Sequence, residues 1–359
     1  MRIVLGLRWM RMEIWSVSNN KLYNVTRGGF PCGFCFGMVI RNTAVRMGLV
    51  MAEITILGGG SLGLLLAGRL AASGCDCVLW TRTVHQASLL GSKGLIIQER
   101  DDQSAQRVRL PVIPITEVSS GSDEHGVVLL TVKQTALTSD FLLWLADVIP
   151  AQGALVLFQN GVGHMERLQE ALPGRRLIAA LTTEGALRID ETTVRHTGQG
   201  VIRLGADKPE DDELLSMLER MLKQAGFSVL LSKMLEEAVL QKLLINAVIN
   251  PLTAILRIRN GELTHTPERI QLMQDLHHES FRILSLYGLQ DEAALWETLL
   301  QVCRATSSNE SSMLQDINLH KETEIDFING AICRMAIRQG LEAPWNKAVV
   351  ALVKAAHSS

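Results

Sequence analysis

A glycine-rich hexad, Gly58-Gly59-Gly60-Ser61-Leu62-Gly63, stands directly between a β-type run, Glu53-Ile-Thr-Ile-Leu57, and a helix-length apolar stretch. It fits the pattern G-x-G-x-x-G, and that pattern has meaning only in this placement. Gly58 makes the tight turn, Gly60 opens the backbone amides to an anion, and Gly63 lets the helix approach the strand closely. The amides at the helix start, with the positive end of the helix dipole, then favour a phosphate. A dinucleotide-binding turn is the preferred reading over a bare strand-to-helix connection. Gly58, Gly60, Ser61, Leu62 and Gly63 are its candidate cofactor contacts.

The flanking sequence supports that setting. From residue 53 to about 205, β-rich runs at 53–57, 76–80, 127–132, 154–158 and 177–181 alternate with helical stretches at 61–73, 84–92, 135–148 and 163–172. Such alternation predicts a parallel sheet covered by helices. The stretch 192–205, with Gly198 and Gly200, reads as a closing hairpin. After about residue 210 the pattern turns helical, at 211–225, 234–256, 267–287, 291–305 and 309–340, interrupted by one short strand at 229–231. The polar, Pro-containing stretch 207–213 is a surface break. The expected fold class is α/β: an N-terminal Rossmann-type dinucleotide-binding domain over 51–232, then an all-helical domain over 233–359.

Composition narrows the classes. The 359 residues are 47% apolar, enough for two cores. With 35 Lys+Arg against 37 Asp+Glu, the formal charge of −2 gives no reason to expect a nucleic-acid partner. No uncharged apolar run of about 18 residues suggests a membrane span. Six cysteines form no disulfide framework and suit a reducing cytoplasm. Residues 1–50 differ from the rest, holding seven basic residues and one acid, with no sustained period of 3.6 or 2. They are expected to be an upstream or poorly ordered extension, with Met51 the natural start. The Cys32-x-x-Cys35 pair within them lacks a second ligand pair or a βαβ setting, so it is read as incidental.

Ligands of open α/β sheets sit beyond the carboxyl ends of the strands. The second strand ends without the acidic residue that holds a ribose hydroxyl in NAD sites; Arg82 stands there instead, and a guanidinium suits a 2′-phosphate. NADP(H) is therefore the expected cofactor. Asp76 begins that strand and faces the wrong edge. Lys133 and Asn160 close two further strands at the same crevice, as candidate contacts to a phosphate and to nicotinamide or substrate, against an equal reading as plain loop polars.

In Leu240–Ala254, Lys242, Asn246 and Asn250 recur at i, i+4 and i+8, a polar line on an otherwise apolar helix that needs partners or a ligand. Pro251 is expected to kink the helix and free backbone groups near Asn250. His277 and His278, being adjacent, face different sides of a helix, and no metal site is expected.

The run Lys242–Leu263, with Ser311-Ser-Met-Leu-Gln-Asp316 and Thr323-Glu-Ile-Asp-Phe-Ile-Asn-Gly330, resembles the ketopantoate reductase (2-dehydropantoate 2-reductase) family over about 53–350. The resemblance implies NADPH-dependent reduction of ketopantoate to pantoate, a step toward pantothenate and coenzyme A. It implies Lys242 and Glu324 as catalytic residues, with Glu324 also at the cofactor. Asn246, Asn250 and Ser312 would be substrate contacts, and Asn160 would sit between cofactor and substrate. Arg82 and Lys133 would meet cofactor phosphates. A positioned ammonium fits the chemistry, because hydride transfer to a ketone builds negative charge on its oxygen. Whether Glu324 accepts from the substrate hydroxyl or tunes Lys242 stays open, as do substrate contact and helix bracing for Asp316. Ser312 also reads as a first-turn serine. A reductase of another branched 2-oxo acid or a 3-hydroxy acid enzyme, and a non-catalytic NADP sensor, are the competing functions; monomer and homodimer are both open.

Overall fold

A computed structural model of the chain describes residues 2–8, 11–18, 21–24, 54–99, 104–118, 126–205, 211–232 and 235–357. Two units divide it, Met1–Met51 and Ala52–Ser359. In the first, strands β1 (Arg2–Arg8), β2 (Arg11–Ser18) and β3 (Lys21–Asn24) form an antiparallel sheet in that order. That is more regular structure than the aperiodic sequence of 1–50 suggests, because strand pairing rests on backbone hydrogen bonds that need no side-chain alternation. Cys32, Cys35, Met51 and residues 207–210 of the polar break lie outside the described residues.

In the second unit the strands of the main sheet are β4 (Ile54–Leu57), β5 (Cys77–Thr81), β8 (Val112–Pro114), β9 (Val127–Leu130), β10 (Ala154–Leu157), β11 (Arg176–Thr182), β14 (Ile202–Gly205) and β15 (Val229–Leu231). Their order is β15-β14-β11-β10-β9-β4-β5-β8. From β8 to β11 neighbours run parallel, and β14 lies antiparallel to β11. The chain leaves β4 toward β5 and β8, then returns to start β9 on the other side of β4. That reversal opens a crevice beyond the carboxyl ends of β4 and β9, where ligands of such sheets bind.

Strand alternation explains why the sheet is buried on both faces. Ile54, Ile56, Cys77, Leu79, Val127, Leu129, Ala154 and Val156 enter one core. Leu57, Val78, Trp80, Val128, Leu130, Leu155 and Leu157 enter the other. Each fully buried Leu or Ile contributes about 1.5–3 kcal/mol. Helix α1 (Ser61–Ala72) covers the first face, while α3 (Ser139–Val148) and α4 (His164–Ala171) cover the second. Helices α2 (Val84–Lys93) and α5 (Asp212–Gln224) complete this half.

A second sheet departs from the expected pattern. Strands β6 (Leu95–Gln98), β7 (Ala105–Val108), β12 (Gly185–Arg188) and β13 (Thr193–Gly198) order as β12-β13-β6-β7. It lies over α1, where a Cβ at Gly68 would stand 2.7 Å from the Ile97 side chain. The expected hairpin over 192–205 does not form: β13 joins this small sheet and β14 the main one. The crossing is tight, since a Cβ at Gly200 would stand 2.3 Å from the Thr183 carbonyl carbon. These strands are short, and β7 is largely exposed, so they carry little apolar signal.

Beyond residue 235 the described chain is helical: α6 (Leu235–Leu256), α7 (Pro267–Leu284), α8 (Glu292–Ala305), α9 (Ser312–Asn318), α10 (Asn329–Arg338) and α11 (Pro344–His357). α6 continues through Pro251. Proline has no N–H for the Ala247 carbonyl one turn earlier, and the buried Asn329 Nδ2 donates to that carbonyl instead at 2.9 Å. α6 is also the one described helix long and apolar enough to cross a membrane; Lys242 interrupts its uncharged run, and 56% of its most apolar window is buried inside the protein. The helix expected over 309–340 breaks after α9. His320, at φ 51°, takes the left-handed conformation, and a single 3₁₀ turn at Ile325–Phe327 precedes α10. The break sets Glu324 outside any α-helix. His277 is buried beside Phe281 and Trp296, whereas His278 faces outward to Glu292, as their adjacency predicts.

Candidate active site

The glycine turn leaves β4 and enters α1 as the sequence predicts. Gly58 has φ 126°, open to glycine at little cost, and a Cβ at Gly63 would stand 1.9 Å from the Gly58 carbonyl oxygen. A Cβ at Gly60 would meet no atom within 4 Å. Two glycines are thus required by the protein's own packing, while the third faces open space at the helix start. No side chain caps α1 and no acid occupies its first turn, so its amides are ready for an anion. These features fit a dinucleotide diphosphate. Ser61 is engaged through its hydroxyl, which accepts from the Arg188 N–H at 3.1 Å, and Leu62 packs against the core. Arg82 is exposed just beyond the end of β5.

The helical half meets the crevice through four residues at strand ends. Lys242 Nζ, on α6, donates to Asn160 Oδ1 at 2.8 Å and to the Thr182 carbonyl at 2.7 Å. Asn160 Nδ2 turns the other way and donates to Glu324 Oε2 at 3.4 Å. Glu324 Oε1 accepts from the Gln134 N–H at 3.1 Å, and Gln134 Nε2 donates to the Asn160 carbonyl at 2.6 Å. Lys133, beside Gln134, pairs with Asp316 of α9. The Asn160 corner is fixed by its neighbour: Gly161, at φ 81°, would place a Cβ 2.2 Å from the Phe327 carbonyl oxygen. Asn160 therefore bridges the ammonium and the carboxylate.

Burial sets the charges. Lys242 is partly accessible as a residue, yet desolvation of its ammonium lowers its pKa to about 8, against the opposing pull of the Glu324 charge. Desolvation likewise raises the Glu324 carboxyl above its ordinary value, with the Gln134 N–H and the Lys133 charge opposing. A cavity of about 30 Å³, room for one water, adjoins Lys242 and is lined also by Gln159, Asn160 and His164. Burial holds His164 neutral there, with a pKa of about 4.

Lys242, Asn160, Glu324 and Lys133 thus converge beside the crevice. Asn246 and Asn250 follow Lys242 along α6, Asn250 buried and Asn246 partly so, and neither amide bonds another described residue through its side chain. Ser312 is exposed at the start of α9, while Ser311 performs the capping, accepting from Leu314 N at 3.1 Å. Asp316 is an ion-pair partner of Lys133, a role outside the two weighed for it. Gln134 and the Thr182 carbonyl are the functional groups the sequence does not reveal. Gln134 was within reach, being adjacent to a strand end; a backbone carbonyl carries no side-chain signal.

Comparison with known proteins decides the family. The sequence model described as "Ketopantoate reductase PanE/ApbA" matches residues 54–209, and that for its C-terminal part matches 234–357. The chain belongs to the ketopantoate reductase family. The 2-dehydropantoate 2-reductase of Bacillus subtilis (strain 168) is 34% identical over 292 residues, covering 81% of this chain and 93% of that protein. That of Pyrococcus horikoshii is 31% identical over 306 residues, covering 85% and 98%. Among solved structures, the probable 2-dehydropantoate 2-reductase of Bacillus subtilis superposes with a TM-score of 0.70 at 31% identity, covering 85% of this chain and 99% of that one. A D-mandelate dehydrogenase solved with NADH and anilino(oxo)acetate shares the fold, with a TM-score of 0.78 at 21% identity, over 85% and 98%. In this ketopantoate reductase family member, the four convergent residues stand at the junction of the two matched parts.

Proposed function

We propose that the chain reduces ketopantoate to (R)-pantoate with NADPH, feeding pantothenate and coenzyme A synthesis, with Lys242 as the general acid. The observation that carries this reading is the Lys242 ammonium, held in the crevice by Asn160 and the Thr182 carbonyl with a pKa of about 8. The identity to named 2-dehydropantoate 2-reductases supports the substrate. The glycine turn would hold the diphosphate through the first amides of α1, and Arg82 the 2′-phosphate. When bound, NADPH supplies the hydride.

The protein's own part follows from its groups. As hydride reaches the carbonyl carbon, negative charge grows on the oxygen; Lys242 stabilises it and donates its proton there, leaving a neutral amine. General acid catalysis of this kind contributes roughly 10²–10⁴ in rate. Glu324 lies within electrostatic reach of Lys242 and keeps it more basic than burial alone would. Asn246, Asn250 and Ser312 offer neutral donors to the substrate carboxylate and hydroxyl without competing for the proton. The four described cysteines are free thiols, which supports a reducing, cytoplasmic setting.

The test is consumption of NADPH or NADH by the full chain with ketopantoate, beside pyruvate and 2-oxoisovalerate. Turnover highest on ketopantoate and selective for NADPH is expected. Faster turnover of another 2-oxo acid would move the substrate, and binding of NADPH with no turnover at all would favour a sensor.

A further inference from the structure

Arg188 ends β12 in the smaller sheet, yet it reaches the glycine turn. Its Nη1 donates to the Gly59 carbonyl at 3.2 Å, and its backbone N–H donates to Ser61 Oγ at 3.1 Å. From α2, Gln86 Nε2 donates to the same Gly59 carbonyl at 2.9 Å and to the Glu191 carbonyl at 3.2 Å. Glu191 closes the set, its carboxylate 3.5 Å from Arg188 Nη2. The turn between β12 and β13 is tied to the glycine turn by side chain, backbone and a shared glutamine.

We propose that Arg188 is a positioning residue for the dinucleotide diphosphate, clamping the glycine turn in its phosphate-binding shape and bringing a fixed positive charge to it. The proposal rests on the nicotinamide-dinucleotide reading above. Three successive glycines have more backbone freedom than any other tripeptide, so an unclamped turn would have to be ordered by its ligand. Two donors on one carbonyl fix the Gly59–Gly60 peptide plane. A cationic donor on that carbonyl also polarises the Gly60 N–H at the other end of the same peptide, which strengthens it toward an anion.

Two further cations stand near Arg188. Burial lowers the pKa of Lys321, and the neighbouring charges of Arg188 and Lys133 lower it further, against Asp316 and Glu191. Lys133 also faces Glu324, so the cluster is mixed in sign, and it is Arg188 that bonds the glycine turn.

The experiment measures NADPH affinity by its fluorescence for the full chain, Arg188→Ala and Arg188→Lys. Competition by 2′-phospho-ADP-ribose, which has the diphosphate, and by adenosine 2′-phosphate, which lacks it, runs in parallel. Arg188→Ala is expected to weaken NADPH and 2′-phospho-ADP-ribose about tenfold. Adenosine 2′-phosphate should change less than about twofold, and Arg188→Lys should regain part of the loss. KM for NADPH should rise with kcat nearly constant. NADPH affinity unchanged in Arg188→Ala overturns the proposal, and so does an equal loss for both competitors, which marks general damage. If the unaltered chain binds no NADPH, the underlying cofactor reading fails instead.

Discussion

Lys242 shows how one environment sets both reactivity and stability. An ammonium with a pKa of about 8 is mostly protonated at neutral pH and gives up its proton more readily than an ordinary lysine. Activity should therefore fall as pH rises through about 8, a limb read from the pH profile of kcat/KM, and a flat profile to pH 10 would contradict the assignment. The stability sign is the reverse. The folded pKa lies below the ordinary lysine value of 10.5, so burying the charge costs stability below pH 8, and that cost is relieved between about 8 and 10.5. On the proposed reading Arg82 meets the 2′-phosphate, so Arg82→Ala should weaken NADPH by roughly ten- to a hundredfold and leave NADH nearly unchanged, measured as the ratio of KM values. The residue types were legible from their pattern. Lys242, Asn246 and Asn250 stand out as polar positions on an apolar helical face, whereas Asp316 shows no sign in sequence of its partner Lys133, 183 residues away.

At the scale of elements, the sequence is most readable where one physical rule dominates. Strands β4, β5, β9 and β10 are found close to their predicted bounds because both faces are buried and the runs are nearly all apolar. The smaller sheet is not, since its strands are short and partly polar and their pairing is decided by tertiary contacts. The break between α9 and α10 is likewise hidden, because nothing in 319–324 is a strong helix breaker such as proline. Pro251 gives a clean case of compensation. Asn329→Ala should cost about 1–3 kcal/mol in denaturant unfolding by leaving the Ala247 carbonyl unpaired. Pro251→Ala returns an N–H to that carbonyl, so the double variant should lose less than the sum of the two singles. Strict additivity would show that Asn329 does not serve the gap at Pro251. Gly63→Ala should abolish NADPH binding, because its Cβ would stand 1.9 Å from the Gly58 carbonyl oxygen and force the turn apart.

At the scale of the whole second unit, the site exists only where the halves meet. The α/β half supplies the glycine turn, Lys133, Asn160 and the Thr182 carbonyl, and the helical half supplies Lys242, Asp316 and Glu324. Neither half alone holds both the glycine turn and the Lys242 ammonium, which is why the alternation of elements in sequence could place the crevice but not its contents. The Lys133–Asp316 pair crosses the same junction, and side-chain exposure of 37% and 10% makes it salt-sensitive only in part. In the proposed reaction Lys242 delivers the proton to the ketopantoate oxygen. The measurement that tests it most directly is kcat for NADPH-dependent ketopantoate reduction by Lys242→Ala against the unaltered chain, at pH 7, with NADPH affinity measured on both. A fall in kcat of roughly 10²–10⁴ with NADPH still bound is the expected result. A kcat within about threefold of the unaltered chain would contradict the claim and move the proton donor elsewhere.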